Sequence, residues 1–233
     1  MDFLSTLFIT SIIGGLVAVD TAACFQFMFS QPIVSCTVTG LIFGQPEIGI
    51  LAGALLQLPW LINIPSGGTH GSEVNLGAVV ASSLSVYFVA QQVNADNIIL
   101  IVTIIYSLLI SRAGAYLVDI LRKTNIILAH QADTAAKQGN MRRIEWLNLS
   151  GIFYVFLLGF FLSAVGFAAG VVFLKPVMQR IHPDFDQALE MAKYGILGLG
   201  FGSAATLLFA KETKWYTLIG AVSAVLGLIL WYS

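Results

Sequence analysis

Long apolar runs separated by short polar breaks dominate the chain. Eight can be drawn: Phe3–Ser30, interrupted by Asp20, then Ile33–Gly44, Ile48–Ile64, Leu76–Val93, Ile98–Leu121, Leu147–Leu174, Tyr194–Ala210 and Trp215–Tyr232. The apolar positions run on continuously instead of alternating with polar ones. That is the pattern of membrane helices and not of barrel strands. Backbone amides in lipid must be satisfied within the segment, and a crossing helix needs about 20 apolar residues. The expected fold class is therefore all-α: a polytopic membrane protein with about seven to nine membrane segments.

Residues 20–75 break this plain pattern. Pro32, Pro46, Pro59 and Pro65 and the Gly67-Gly68 pair cut the apolar sequence into pieces too short for simple crossings. Proline removes an amide donor and interrupts a helix. Interrupted backbone at membrane depth survives only where protein or a water-filled cavity covers it. Broken, re-entrant helices are thus expected in the N-terminal part, and in transporters such helices build substrate sites. The chain is read as one membrane domain, 1–233. Residues 1–97 would form the substrate-binding part, 98–146 a span with a basic connector, and 147–233 scaffold or partner-facing helices.

Composition sharpens the assignment. Of 233 residues, 58% are apolar and only 10% charged, against about 25% charged in an ordinary soluble domain. So few charges cannot clothe a water-soluble globule, and a net charge of −1 offers no basic field to nucleic acid. The start of the chain has Asp2 in place of basic residues, so Phe3–Val19 reads as a retained span and not a signal peptide. Charge also orients the chain. Arg122, Lys123, Lys137, Arg142 and Arg143 face a single acid, Asp133, which places that stretch in the cytoplasm by the positive-inside rule. The acidic stretch 175–193 then falls outside and Lys211–Lys214 inside. Trp215, Trp231 and Tyr232 read as interfacial anchors. Glycines at 166, 170, 195, 198, 200 and 202 read as close-packing positions between helices.

Catalytic chemistry has no visible carrier. His70, His130 and His182 are far apart and lack metal-ligand spacing, and Cys24 and Cys36 sit in apolar sequence as small hydrophobes. No phosphate-binding glycine loop with a following lysine occurs. The expectation is a chain with no catalytic residue, no metal and no cofactor. What remains are polar groups embedded in apolar sequence: Asp20, Gln26, Gln31, Gln45, Glu47, Gln57, Asn63, His70, Glu73, Asn75, Arg112 and Asp119. Ionisable groups at bilayer depth are expensive and usually line a cavity or find a partner. Amides both donate and accept, as sugar hydroxyls do, and an indole such as Trp60 can cover the apolar face of a sugar. The residues alone reach a membrane transporter of a polar solute.

The segment Val19–Ser82 carries this further. Asp20, Gln26, Gln31-Pro32, Gly40, Gly44, Gly49, Gly53, Gln57, Trp60, Pro65 and Gly67 occur in an order that resembles the IIC subunit of the mannose/fructose/sorbose class of the bacterial phosphoenolpyruvate-dependent sugar phosphotransferase system. The resemblance implies a permease subunit with re-entrant hairpins in the bacterial cytoplasmic membrane. Such a chain binds and translocates a hexose-like sugar. It pairs with a IID membrane subunit, and cytoplasmic IIA and IIB proteins carry the phosphate. The sugar site it implies comprises Asp20, Gln26, Gln57, Trp60, Asn63, His70, Glu73 and Asn75. Gln31, Gln45 and Gln57 stand where many members carry charged residues. Two other readings stay open on sequence: a secondary transporter with Asp20, Glu73 or His70 carrying a coupling proton, and a non-transporting scaffold that kept the fold.

Overall fold

The computed structural model describes residues 1–60 and 73–208, and among them the chain is wholly helical. Seven helices follow in order: α1 (Phe3–Ala22), α2 (Pro32–Ile42), α3 (Pro46–Trp60), α4 (Val74–Ala90), α5 (Asp96–Lys137), α6 (Met141–Arg180) and α7 (Phe185–Leu208). By length and composition α1, α5 and α6 can each cross a membrane. The eighth apolar run, its aromatic anchors and the Lys211–Lys214 loop lie outside the described residues.

Helix α4 is the centre of the bundle. Nearly every residue from Val74 to Phe88 is buried, on all sides of the helix. A helix apolar all round can be buried all round, and the small residues Ala78, Ala81, Ser82 and Ser83 let neighbours close in. One side packs with α1 and α6 around Val17, Leu76, Val79 and Leu162. Another packs with α5 and α6 around Val80, Leu84, Phe88, Ile99 and Phe167. A third receives the α2–α3 pair through Cys36, Leu55, Leu56, Ala78 and Ile104.

Two crossings depend on glycine. A Cβ on Gly14 would lie 2.9 Å from the Gly159 carbonyl, so α1 and α6 touch backbone to backbone. In the α2–α3 hairpin, a Cβ on Gly40 would meet the Gly49 Cα at 2.9 Å, and one on Gly53 would meet the Ile33 Cα at 2.9 Å. The hairpin turns at Gly44, whose φ of +75° suits glycine. Proline opens both of its helices, where no amide donor is needed. Pro59 lies inside α3, next to Trp60.

The basic stretch expected as a connector is itself helical. Helices α5 and α6 run 42 and 40 residues, about 60 Å each at 1.5 Å per residue. That is roughly twice a hydrocarbon core of about 30 Å, so the hairpin tip with its cations extends past the apolar part of the bundle. Gly139 turns the chain at φ +67°. The N–H of Arg143 donates to Asn140 Oδ1 at 3.1 Å, capping α6. At the opposite end Asn94 donates to the carbonyls of Met178 (2.7 Å) and Ile181 (3.0 Å), tying the α4–α5 turn to the end of α6.

The glycine expectation holds in part. Gly166 and Gly170 face Val80 and Leu84, and Gly200 faces Leu58, while added Cβ atoms on Gly195, Gly198 and Gly202 would meet nothing within 4 Å among the described residues. Asp119 pairs with Arg122 at 3.8 Å, one turn on, and Arg112 lies over the Tyr116 ring at 5.9 Å.

Candidate functional site

The first apolar run does not continue to Ser30 as one helix. It stops at Ala22, and residues 23–31 form a loop organised by Asp20. This side chain is only 6% exposed. The N–H of Phe27 donates to its Oδ1 and the N–H of Ser30 to its Oδ2, both at 2.8 Å. Both carboxylate oxygens are therefore committed to the backbone. The reason lies in the loop's conformation. Phe25, Gln26 and Met28 all have positive φ, at 74°, 51° and 63°. Left-handed backbone costs a non-glycine residue about 1–2 kcal/mol. Charge-assisted bonds, roughly twice as strong as neutral ones, offset that strain. Asp20 thus shapes the loop, and Gln26 projects from it with an exposed side chain.

The loop leads into α2, where Gln31 is the N-cap. Gln57, near the end of α3, meets it. Its Nε2 donates to Gln31 Oε1 at 3.0 Å, and its Oε1 accepts from the Ile33 N–H at 3.4 Å. The second bond satisfies one of the amides left free at the start of a helix. Each amide keeps further capacity: the Gln31 NH2 group and the second N–H of Gln57 find no protein partner among the described residues.

Asn75, in the first turn of α4, donates to Thr21 Oγ1 at 3.2 Å, and that hydroxyl donates to the Val17 carbonyl at 2.8 Å. The ends of α1 and α3 and the beginnings of α2 and α4 therefore converge. Glu73 precedes α4 but faces a different neighbour. Its N–H donates to the Ser111 carbonyl at 3.0 Å, and its stem rests on Gly114, where an added Cβ would come within 2.9 Å. Two residues apart at a helix start are far apart around its axis, so Asn75 turns to α1 and Glu73 to α5.

Of the residues expected from sequence, Asp20, Gln26, Gln57 and Asn75 gather at this convergence. Trp60 is the half-buried last residue of α3. Glu73 stands against α5, and Asn63 and His70 lie outside the described residues. Two contributors are absent from that expected set, Thr21 and Gln31. The glycines 40, 49 and 53 hinted at a tight α2–α3 pair, and only such a pair brings positions 31 and 57 together. Interlocking bonds hold the pair against α4: Cys36 Sγ donates to the Ala78 carbonyl (3.3 Å), and Ser82 Oγ to the Cys36 carbonyl (3.2 Å).

The fold recurs in known proteins. A solved structure of the mannose transporter ManYZ with microcin E492 contains a chain similar over 98% of this one and 92% of its own length, with a TM-score of 0.56 and 23% identity. Another, described as a membrane protein, reaches a TM-score of 0.71 at 23% identity. In sequence, the mannose-specific EIIC component of Escherichia coli K12 is 25% identical over 200 residues, which is 85% of this chain and 72% of that protein. The fructose permease IIC component of Bacillus subtilis is 22% identical over 194 residues, 83% of this chain and 69% of its own length. The sequence model of the PTS system sorbose-specific IIC component matches residues 4–230. The chain belongs to that family of membrane permease subunits.

Proposed function

We propose that the chain binds a hexose-like sugar where the four helix ends converge and carries it across the bacterial cytoplasmic membrane. Partner subunits then phosphorylate it. The observation that carries this reading is the Gln31–Gln57 pair, two half-used amides held between broken helices beside a loop clamped by Asp20. Broken helices that present free backbone ends and amides to one point are the usual construction of a membrane solute site. Each amide can give and take hydrogen bonds, which is what ring hydroxyls require.

Asp20 acts in this reading by positioning the loop, because both its oxygens are taken. Gln26, Gln31, Gln57, Trp60 and Asn75 contact the sugar, and Glu73 lines the side nearest α5. The pair α2–α3 is a re-entrant hairpin, since 11 and 15 residues reach only about 16 and 22 Å. With the final apolar run and the piece between α3 and α4 included, the chain has about seven to nine membrane segments. Residues 1–97 bind substrate, and 147–233 serve as scaffold and meet the partner.

A similar chain is found in a solved structure of the mannose transporter ManYZ. By analogy a IID-type membrane subunit is this chain's partner, and soluble IIA and IIB proteins supply phosphate at its cytoplasmic face. Uptake of radiolabelled mannose, fructose and sorbose in cells expressing the chain with its partner subunits tests the reading. Uptake abolished by Gln57→Leu supports it. Uptake of any of the three that is indifferent to Gln31→Leu and Gln57→Leu together overturns the site.

A further inference from the structure

A cavity of about 530 Å³ lies between the end of α1 and the basic α5–α6 hairpin, lined among others by Ala22, Ala23, Asn125, Glu145, Asn148 and Gly151. Its volume falls within the range of small-molecule pockets, roughly 300–1,000 Å³. Resting on the reading above, we propose that it is a second, weaker station for the unphosphorylated sugar, on the hairpin side of the site at the helix ends.

Three observations point to a neutral polyol. Asn125 lines the cavity, and its Oδ1 is buried with no hydrogen-bond partner among the described residues. A buried polar atom left so is costly, and a ligand that supplies the missing bond gains what the free protein forfeits. Glu145 adds carboxylate acceptors and Asn148 an amide that does both, while Leu128, Ile144 and Ile152 offer an apolar floor for the C–H face of a ring. No Lys or Arg lines the cavity among the described residues, which disfavours a phosphorylated sugar.

Place supports the same assignment. Ala22 and Ala23 line the wall and directly follow Asp20 and Thr21 in sequence, so the two stations share the end of α1. Space is left open at Gly151, where an added Cβ would lie 3.8 Å from Asn125 Oδ1. A larger side chain there extends into the cavity without displacing backbone.

The test is equilibrium binding of tritiated D-mannose, D-fructose and L-sorbose to the full chain with its partner subunit in phosphatidylcholine nanodiscs. For a sugar that binds, the wild type is expected to show two classes of site. Gly151→Leu and Asn125→Leu each remove the weaker class and keep the one that Gln57→Leu removes, which also shows that the variants are folded. A single class that neither cavity variant alters overturns the second station and leaves the first intact. No binding of any of the three overturns the sugar reading as a whole. A weak class that disappears when phosphatidylglycerol replaces phosphatidylcholine assigns the cavity to a lipid glycerol head and overturns the sugar station.

Discussion

The side-chain amide of Gln57 donates to the side-chain oxygen of Gln31 at 3.0 Å, across the open end of the α2–α3 hairpin. Its own oxygen caps the Ile33 amide. One side chain thus closes the hairpin, satisfies a helix start and has a second N–H with no partner among the described residues. Gln57→Leu removes both bonds, each worth about 0.5–1.5 kcal/mol net. Sugar uptake is expected to fall about tenfold or more. Because the partners act as a pair, adding Gln31→Leu to Gln57→Leu costs less than Gln31→Leu alone. A double-mutant cycle on uptake checks this, and strictly additive losses count against the pairing.

Asp20→Asn leaves one acceptor oxygen for two loop amides and removes the charge. The expected destabilisation is about 1.5–3 kcal/mol. It shows as a lower midpoint of thermal unfolding in detergent and as faster proteolysis between residues 23 and 31. Met28→Gly on the Asp20→Asn background recovers about 1 kcal/mol, because glycine adopts the φ of 63° without strain. An Asp20→Asn protein as stable as the wild type sinks the clamp.

The two kinds of glycine separate in a stability assay. Gly14→Leu drives a side chain into Ser163 and the backbone of α6, with a cost of about 1–3 kcal/mol or more. Gly195→Ala meets nothing within 4 Å among the described residues and gains roughly 0.5–1 kcal/mol in helix propensity. Equal effects at both positions contradict the crossing geometry.

Orientation is open to direct labelling. The exposed Lys137, next to the hairpin turn, and the exposed Asp184, just before α7, lie at opposite ends of α6. A cysteine at 137 is expected to react with an impermeant maleimide only from the cytoplasmic side, and one at 184 only from outside. Both sites labelled from one side rules out α6 as a crossing.

Composition and pattern by themselves settled the solvent and the element type. A chain with 10% charge and unbroken apolar runs has no stable option in lipid but helices, because every amide must be satisfied within its own segment. Breaks in the apolar pattern at Pro32, Pro46 and Pro59 were legible because proline fixes φ and removes an amide donor locally. Asp20 stood out as a costly buried acid, but its work did not. That depends on the loop amides of Phe27 and Ser30, which only the folded backbone aims at it. The meeting of Gln31 with Gln57, the opposite turns of Glu73 and Asn75, and the burial of Asn125 Oδ1 without a partner among the described residues were likewise decided by tertiary packing. Hydropathy says which face avoids water, whereas register and crossing distance, set by glycines that touch backbone, determine which amide faces which.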